Sequence, residues 1–471
     1  MTDLAYQTIE ETSRLIRSRQ LSPVELVKAQ LARIEQLNPR LHAFIRVTPE
    51  IALAGARAAE TQIMSGDWRG PMHGVPFALK DIIDYAGLPT TCHSKLMADN
   101  IAAADAFVTT RLKAAGAVML GKLATHEFAI GGPSFDLPWP PAINPWGGNG
   151  GSHHPGGSSS GSGVAIAAGM LPAALGTDTG GSVRNPASMC GIVGMKPTYG
   201  RVSRRGVFPL SYSLDHVGPM TRTVGDNAIL LNIIAGHDGH DPGSADVATE
   251  DYTGGLKRGV KGLSIGLARH FYTEDDIAHP EQVNSIDDAA EVLAKLGADI
   301  FEIRLPSNPE YVTCNRLILR AEAYAIHRRW LAERPGDYGH LGRQRLLDGA
   351  TVSAADYIDA LRLRGRLLAR TLETMADVDV VLTASSLDPP CPIDDQAAVA
   401  RAYPRQVRQP FNVTGQPALA MPAGFTADNL PLSLQLVGHP FAEATLYRVA
   451  AAYEAATRWC DRRPPGLARA R

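Results

Sequence analysis

Three segments combine residue types and spacings that could do chemistry, and all fall between positions 74 and 184. The first is Gly74-Val-Pro-Phe-Ala-Leu-Lys80-Asp81, an apolar run carrying one amine. The chain uses nine lysines against 37 arginines, so a lysine among apolar neighbours is a selective placement. Burial disfavours the charged amine and lets it serve as a neutral base near pH 7, which a guanidinium cannot do. A lysine that reaches solvent, or pairs with Asp81, would satisfy the same segment without chemistry. The second segment is the glycine- and serine-rich run of residues 155–163, which opens an apolar helix. It lacks the Lys-Ser/Thr end of a phosphate-binding loop. A hydroxyl held for proton relay fits it, whereas a flexible linker would not lead straight into a core element. The third is Gly176-Thr-Asp-Thr-Gly-Gly-Ser182-Val-Arg184. An apolar strand running into Gly-Gly-Ser lifts a hydroxyl on a sharp turn and converges backbone N–H groups, as a nucleophile with an oxyanion hole requires. No G-x-S-x-G elbow is present.

Ser182 needs a base. His126, His216 and His237 lie at sequence distances that leave a Ser–His–Asp triad open. A desolvated lysine with a second serine is the more economical choice, since Ser–Lys variants are known chemistry.

The elements that must hold these groups read as alternating helices and strands. Ser22-Pro23-Val24-Glu25 is a capping box ahead of an apolar stripe at helical spacing, and a second helix covers 49–64. A helix at 104–115, a glycine and a strand at 117–120 form a rhythm that recurs at 287–303, which predicts an α/β layered fold. Further helices are expected at 162–170, 224–235, 314–334, 354–375 and 442–457, and strands at 378–383, 418–421 and 432–436. The tail 461–471 reads as frayed. This divides the chain into an N-terminal helical segment, 1–65, packed on an α/β domain of residues 66–471.

Composition excludes several classes. The formal charge is −2, which argues against a nucleic-acid surface. The longest apolar run, 164–175, is too short and too broken to span a bilayer. No secretory signal is visible at the N-terminus. Five scattered cysteines without CxxC spacing argue against disulfides or zinc and point to a reducing cytoplasm. His153-His154 reads as a solvated loop, without a completing ligand set.

The three segments together resemble the amidase signature family of serine hydrolases. The resemblance extends through Cys190-Gly-Ile-Val-Gly-Met-Lys-Pro-Thr-Tyr-Gly-Arg-Val-Ser, Ser213-Leu-Asp-His-Val-Gly-Pro, Pro410-Phe-Asn-Val-Thr-Gly-Gln-Pro-Ala and Leu436-Val-Gly-His-Pro-Phe. It implies a single large α/β domain with a central mixed β-sheet flanked by helices. The signature core would cover 74–220, with a variable helical insert or cap at 305–375. It also implies a Ser–cis-Ser–Lys triad: Ser182 as nucleophile, Ser158 as the serine held by a cis peptide, Lys80 as general base. The oxyanion hole falls on the N–H groups of Thr179, Gly180, Gly181 and Ser182, and the acyl pocket on Ala129, Ile130 and Gly131. No metal or cofactor is required. The implied activity is hydrolysis of a small carboxamide, anilide or carbamate through an acyl-enzyme, with side activity on esters. The alternative is the glutaminase subunit of a tRNA-dependent amidotransferase. The expected partners are a small-molecule substrate, with no nucleic acid and no membrane, and room for a homodimer. Two departures are Ser160, where the family has glycine, and a loop at 144–155 about three residues longer than usual. The aromatic character of residues 135–146 points to an aryl or apolar acyl group.

Overall fold

In the computed structural model, residues 4–147 and 152–467 are described. Among them, eleven strands make one sheet. They are β1 (Phe44–Val47), β2 (Pro76–Lys80), β3 (Val118–Leu123), β4 (Ala173–Asp178), β5 (Val193–Lys196) and β6 (His216–Thr221). These are followed by β7 (Ser264–Leu267), β8 (Asp299–Glu302), β9 (Val380–Ala384), β10 (Ala418–Phe425) and β11 (Pro431–Gly438). The order across the sheet is β1-β3-β2-β4-β6-β5-β10-β11-β9-β7-β8. The sheet is mixed. β2 runs parallel to β3 and β4, and β7 runs parallel to β8 and β9, while the strands between these groups pair antiparallel. This is the α/β architecture that the helix–glycine–strand rhythm and the resemblance imply.

Every residue of β2, β3 and β4 is buried, as expected for strands covered on both faces. Phe77, Leu79, Ala173 and Leu175 face one apolar core. Ala78 and Ala174 face a second, shared with Val164 and Ile166 of the helix Ser160–Ala167. Side chains alternate along a strand, so Lys80 follows Ala78 onto the face where that helix packs. Sequence position alone therefore delivers the amine to the serine-rich segment.

The expected capping box is formed. Ser22 Oγ accepts from the Val24 and Glu25 N–H groups, and helix Pro23–Leu41 follows. Other boundaries moved for identifiable reasons. The helix expected from 104 starts at Phe107, because the Ala106 and Phe107 N–H groups pair with the carbonyls of Asp84 and Arg205. The helix expected from 314 starts at Asn308, where Ser307 and Glu310 make a capping box and a proline occupies the first turn. The two C-terminal strands lengthen into an eight-residue hairpin pair. The tail is not frayed through 467, since Leu467 is buried in the second core; residues 468–471 lie outside the described residues. No helix among the described residues is long and apolar enough to cross a membrane.

Candidate active site

β2 and β4 are parallel neighbours, with Phe77 opposite Ala173 and Leu79 opposite Leu175, so their C-terminal ends share one edge of the sheet. Open α/β sheets present their binding crevices beyond such ends. Here Lys80 closes β2, Asp178 closes β4, and the helix Ser160–Ala167 starts directly after Ser158 and Ser159. The helix sits close against the sheet edge because Gly161 has no side chain. A Cβ there would lie 2.3 Å from the Ala43 carbonyl oxygen and 2.5 Å from the Ala124 nitrogen.

Lys80 is fully buried. Its Nζ donates to Ser158 Oγ at 2.7 Å and to Thr177 Oγ1 at 2.7 Å. Asp81 does not neutralise it: successive residues face opposite ways, and Asp81 pairs with Lys122 at 2.9 Å. No carboxylate among the described residues lies within ion-pair distance of the Lys80 amine. Burial pulls its pKa down from 10.5 to about 7, opposed by the more distant charges of Asp215 and Asp178. The amine therefore titrates near neutrality.

Of the clustered hydroxyls, only Ser158 meets Lys80. The Gly157–Ser158 peptide bond is cis, and the Gly157 N–H donates to Asn185 Oδ1 at 2.8 Å. Ser159 Oγ instead bridges the backbone of Thr177, donating to its carbonyl and accepting from its N–H. Ser162 Oγ donates to the Leu175 carbonyl at 3.1 Å. Ser182 lies across the same edge, its carbonyl accepting from the Ser159 N–H at 3.2 Å. Ser182 lines the pocket, and no hydrogen bond joins its hydroxyl to Ser158 or to any other described residue.

The 179–182 turn is held from below by a buried carboxylate. Asp178 pairs with Arg184 at 2.9 Å, both fully buried. It also accepts from the Gly181, Val183 and Arg184 N–H groups and from Asn412 Nδ2. Burial pushes the Asp178 carboxyl up, but Arg184, the Lys196 charge and Asn412 outweigh it and hold it well below the usual carboxylate range. Gly181, counted by the resemblance among the oxyanion donors, thus spends its N–H on Asp178 Oδ1 at 2.8 Å. The N–H groups of Thr179, Gly180 and Ser182 have no hydrogen-bond acceptor among the described residues. Thr179 is fixed on two sides: its hydroxyl donates to Asp215 Oδ1 at 2.6 Å, and its carbonyl accepts from Asn315 Nδ2 at 3.1 Å. Burial raises Asp215 to about 6.

Of the three histidines weighed as bases, none hydrogen-bonds through its ring to Ser158 or Ser182. His216 Nδ1 meets the carbonyls of Leu214 and Asp178. His126 packs against the 157–158 segment, its backbone N–H on the Ser158 carbonyl. His237 is exposed on the 236–261 connection. His154 is not solvated. It is buried, with Nδ1 accepting from the Gly156 N–H at 3.1 Å and its N–H on the Cys391 carbonyl, because residues 152–156 pack under the 391–393 segment. No metal-holding cluster is found among the described residues. Part of the lengthened loop, residues 148–151, lies outside the described residues.

Ser182 opens onto a cavity of about 460 Å³ that Ala129, Ile130 and Gly131 also line. Its outer wall is built by helices Asn308–Glu333 and His340–Leu347, through Arg316, Arg320 and Arg345. The aromatic stretch 135–146 does not reach it. Trp146 is buried against Phe425, and the Phe135 side chain is in solvent. The aromatic stretch therefore carries no information on the acyl group; the apolar lining of the cavity comes instead from residues such as Leu319, Leu341, Val399 and Tyr403. Sequence reasoning missed Thr177, Asp215 and the Asp178–Arg184 pair. The pair had a visible signal, two opposite charges bracketing a glycine-rich turn, whereas Thr177 and Asp215 become neighbours only through strand pairing.

Comparison with known proteins adds the relationships of the chain. The model of the family described as Amidase matches residues 25–447. The chain is 40% identical to one of the subunits of the glutamyl-tRNA(Gln) amidotransferase of Chloroflexus aggregans, over 100% of both sequences. Among solved structures it is similar to one from a vestigial protein complex tied to the origins of an s-triazine catabolic enzyme, with TM-score 0.89 and 31% identity over 96% of this chain and 98% of that one. It is also similar to the peptide amidase of Stenotrophomonas maltophilia, with TM-score 0.84 and 31% identity over 99% and 100% of the two chains. These relationships overturn the expectation of no nucleic acid and at most a homodimer. The Chloroflexus relative belongs to a multi-subunit enzyme named for a tRNA, and the first structure comes from a protein complex. Net charge misled because it describes one chain, whereas in a multi-subunit enzyme the polyanion can rest on a different chain.

Proposed function

The chain belongs to the amidase signature family, and from that premise we propose that it opens a carboxamide C–N bond through a seryl acyl-enzyme, as the glutaminase subunit of a tRNA-dependent amidotransferase. The observation that carries the chemistry is the buried 2.7 Å contact between Lys80 Nζ and Ser158 Oγ, beside an amine that titrates near 7. Neutral Lys80 takes the Ser158 proton as Ser158 takes that of Ser182, and Ser182 Oγ attacks the carbonyl carbon. The oxyanion is received by the free N–H groups of Thr179, Gly180 and Ser182, each such donor being worth about 3 kcal/mol. The relay then returns a proton to the leaving amine, and water releases the acyl group by the same route. The Ser182–Ser158 hydrogen bond would close when substrate orders the site, as catalytic contacts in unliganded enzymes commonly do.

Full-length identity of 40% to the Chloroflexus protein supports the amidotransferase role. A second reading, a stand-alone hydrolase of a small carboxamide, anilide or carbamate, is favoured by the absence of any carboxylate in the described pocket lining to meet the ammonium of glutamine. Ammonia release from glutamine and from a panel of amides, with and without the other subunits, tests the two. Turnover confined to glutamine and raised by partner subunits supports the first; turnover of other amides by the isolated chain supports the second. Ser182→Ala should abolish both turnover and labelling by a serine-directed phosphonate, and full activity in that variant would refute the nucleophile.

A further inference from the structure

The cavity before Ser182 has a seam. Ala129, Ile130 and Gly131 form one side of its wall, and helix His340–Leu347 contributes Leu341 to the other. A Cβ at Gly131 would meet Leu341 Cγ at 3.5 Å and Gly342 Cα at 3.6 Å, so the helix lies directly on that wall. Glu127, two residues before the wall and 2% exposed, fastens the two sides. Its Oε2 accepts from the Gly339 N–H at 3.0 Å, at the head of the helix, and its Oε1 accepts from Ser94 Oγ at 2.6 Å. No cation pairs with this carboxyl among the described residues. Glycine at 342 makes room for it, since a Cβ there would run into Oε2.

The backbone that follows directs the chain into the cap. Phe128 and Ala129 both take positive φ, 48° and 62°, which residues with a Cβ adopt only where the surroundings enforce it. The reversal sends the Phe128 ring against His327 and Tyr338, at 4.4 and 5.6 Å between ring centres, and leaves 129–131 on the cavity. Neighbouring polar contacts across the seam, Lys95 with Asp337 at 3.2 Å and Asp136 with the His340 N–H at 2.8 Å, are exposed and contribute little. The buried carboxyl is the stronger tie. Burial pushes it up to about 7, opposed by its two donors. Either protonation state serves: the Gly339 N–H finds an oxygen in both, and the acid can donate to the Ser94 hydroxyl from which the carboxylate accepts.

We propose that Glu127 is a positioning residue for acyl recognition: it clamps helix His340–Leu347 onto the 129–131 wall and so fixes the width of the cavity that receives the acyl group. The proposal rests on the reading that Ser182 opens amides in this cavity. It deepens that reading by assigning the fit of the acyl side to a residue outside the described lining. Among the described residues no hydrogen bond joins helix His340–Leu347 to the 179–182 turn, so loosening the helix changes binding before it changes chemistry.

Hydrogen exchange and steady-state kinetics on the full chain carrying Glu127→Ala, Glu127→Gln or Gly342→Ala test the clamp. Exchange of the 340–347 amides should quicken about tenfold in Glu127→Ala and Gly342→Ala. Glu127→Gln should restore protection, because an amide offers an acceptor to Gly339 and a donor to Ser94. Alanine favours a helix over glycine, so faster exchange in Gly342→Ala cannot come from helix propensity. That variant keeps the carboxyl and gives the same readout if Glu127→Ala does not fold. KM for glutamine, or for whichever amide of the panel the chain cleaves, should rise about tenfold in both alanine variants. In both, kcat should stay within about threefold of wild type and the rate of labelling by a small serine-directed phosphonate should hold. Unchanged exchange, faster exchange with unchanged KM, or Glu127→Gln behaving like Glu127→Ala overturns the proposal, as does a loss of kcat and labelling at constant KM. Wild-type protein that cleaves no amide refutes the Ser182 reading and acyl recognition with it, whereas wild-type turnover with undisturbed exchange in the variants refutes the clamp alone.

Discussion

The pH dependence of turnover follows from one buried amine and can be worked out in advance. Burial lowers the Lys80 pKa from 10.5 to about 7, which corresponds to roughly 5 kcal/mol at about 1.36 kcal/mol per pKa unit. At pH 7 about half the molecules then hold a neutral base, against roughly one in three thousand for an unperturbed lysine. The value of kcat/KM should therefore fall about tenfold per pH unit below pH 6 and level off above pH 8. Lys80→Arg keeps a cation in place and removes the base, so it should cost about a thousandfold or more. Ammonia release measured between pH 5 and 9 reads both. An acid limb centred near pH 10, or full activity in Lys80→Arg, would refute the reasoning.

The same amine makes a stability prediction with a definite sign. Between pH 7 and 10.5 the unfolded chain binds a proton at this lysine that the folded chain does not, so folding stability rises with pH across that window. Below pH 7 both states are protonated and the cost of a buried cation is fully present. The melting temperature of wild type should therefore lag that of Lys80→Met most at low pH and close the gap toward pH 10. A gap independent of pH would show that the amine is solvated in the folded state.

Two further substitutions probe the turn that carries Ser182. Asp215→Asn removes a charge that raises the Lys80 pKa and weakens the anchor of Thr179. The acid limb of kcat/KM should move to lower pH and kcat should drop with KM little changed, whereas an unchanged pH profile would exclude the electrostatic link. Arg184→Met strands Asp178 in the core without its guanidinium. A loss of about 3–5 kcal/mol is expected by denaturant unfolding, and a loss under 1 kcal/mol would mean that Asn412 and the backbone donors suffice.

Legibility in the sequence followed the range of the interactions. The capping box at Ser22 and the helix Pro49–Met64 depend on neighbours a few residues apart, and both could be read directly. Lys80 was legible because an amine in an apolar run violates the local pattern, and such violations mark function. The partners of the violation were not legible. Thr177 meets Lys80 only because β2 and β4 pair in parallel, and Asp215 meets Thr179 only because β6 pairs with β4. The same limit explains why the aromatic stretch does not report on the pocket. Residues 135–146 are aromatic, but their rings serve the contacts of Trp146 with Phe425 and of Trp139 with His93, not the pocket.

The pocket wall and the catalytic turn are one hydrogen-bonded unit, and this bears on how substrate choice and rate are related. Helix Asn308–Glu333 supplies Arg316 and Arg320 to the wall, and from the preceding position Asn315 holds the Thr179 carbonyl. Two turns on, Glu322 accepts from the hydroxyls of Ser211, Ser213 and Tyr357 and from the Ser213 N–H. The 210–215 loop fixed in this way supplies the Leu210 and Ser211 N–H groups that hold Asp215, and Asp215 holds the Thr179 hydroxyl. A shift of helix Asn308–Glu333 would therefore act on both groups that hold Thr179, which heads the turn proposed to receive the oxyanion. A misplacement of about 1 Å in such donors costs orders of magnitude in rate. An acyl group that seats poorly against this helix should thus lower kcat as well as raise KM, so discrimination at this wall is expressed in the transition state rather than in binding alone.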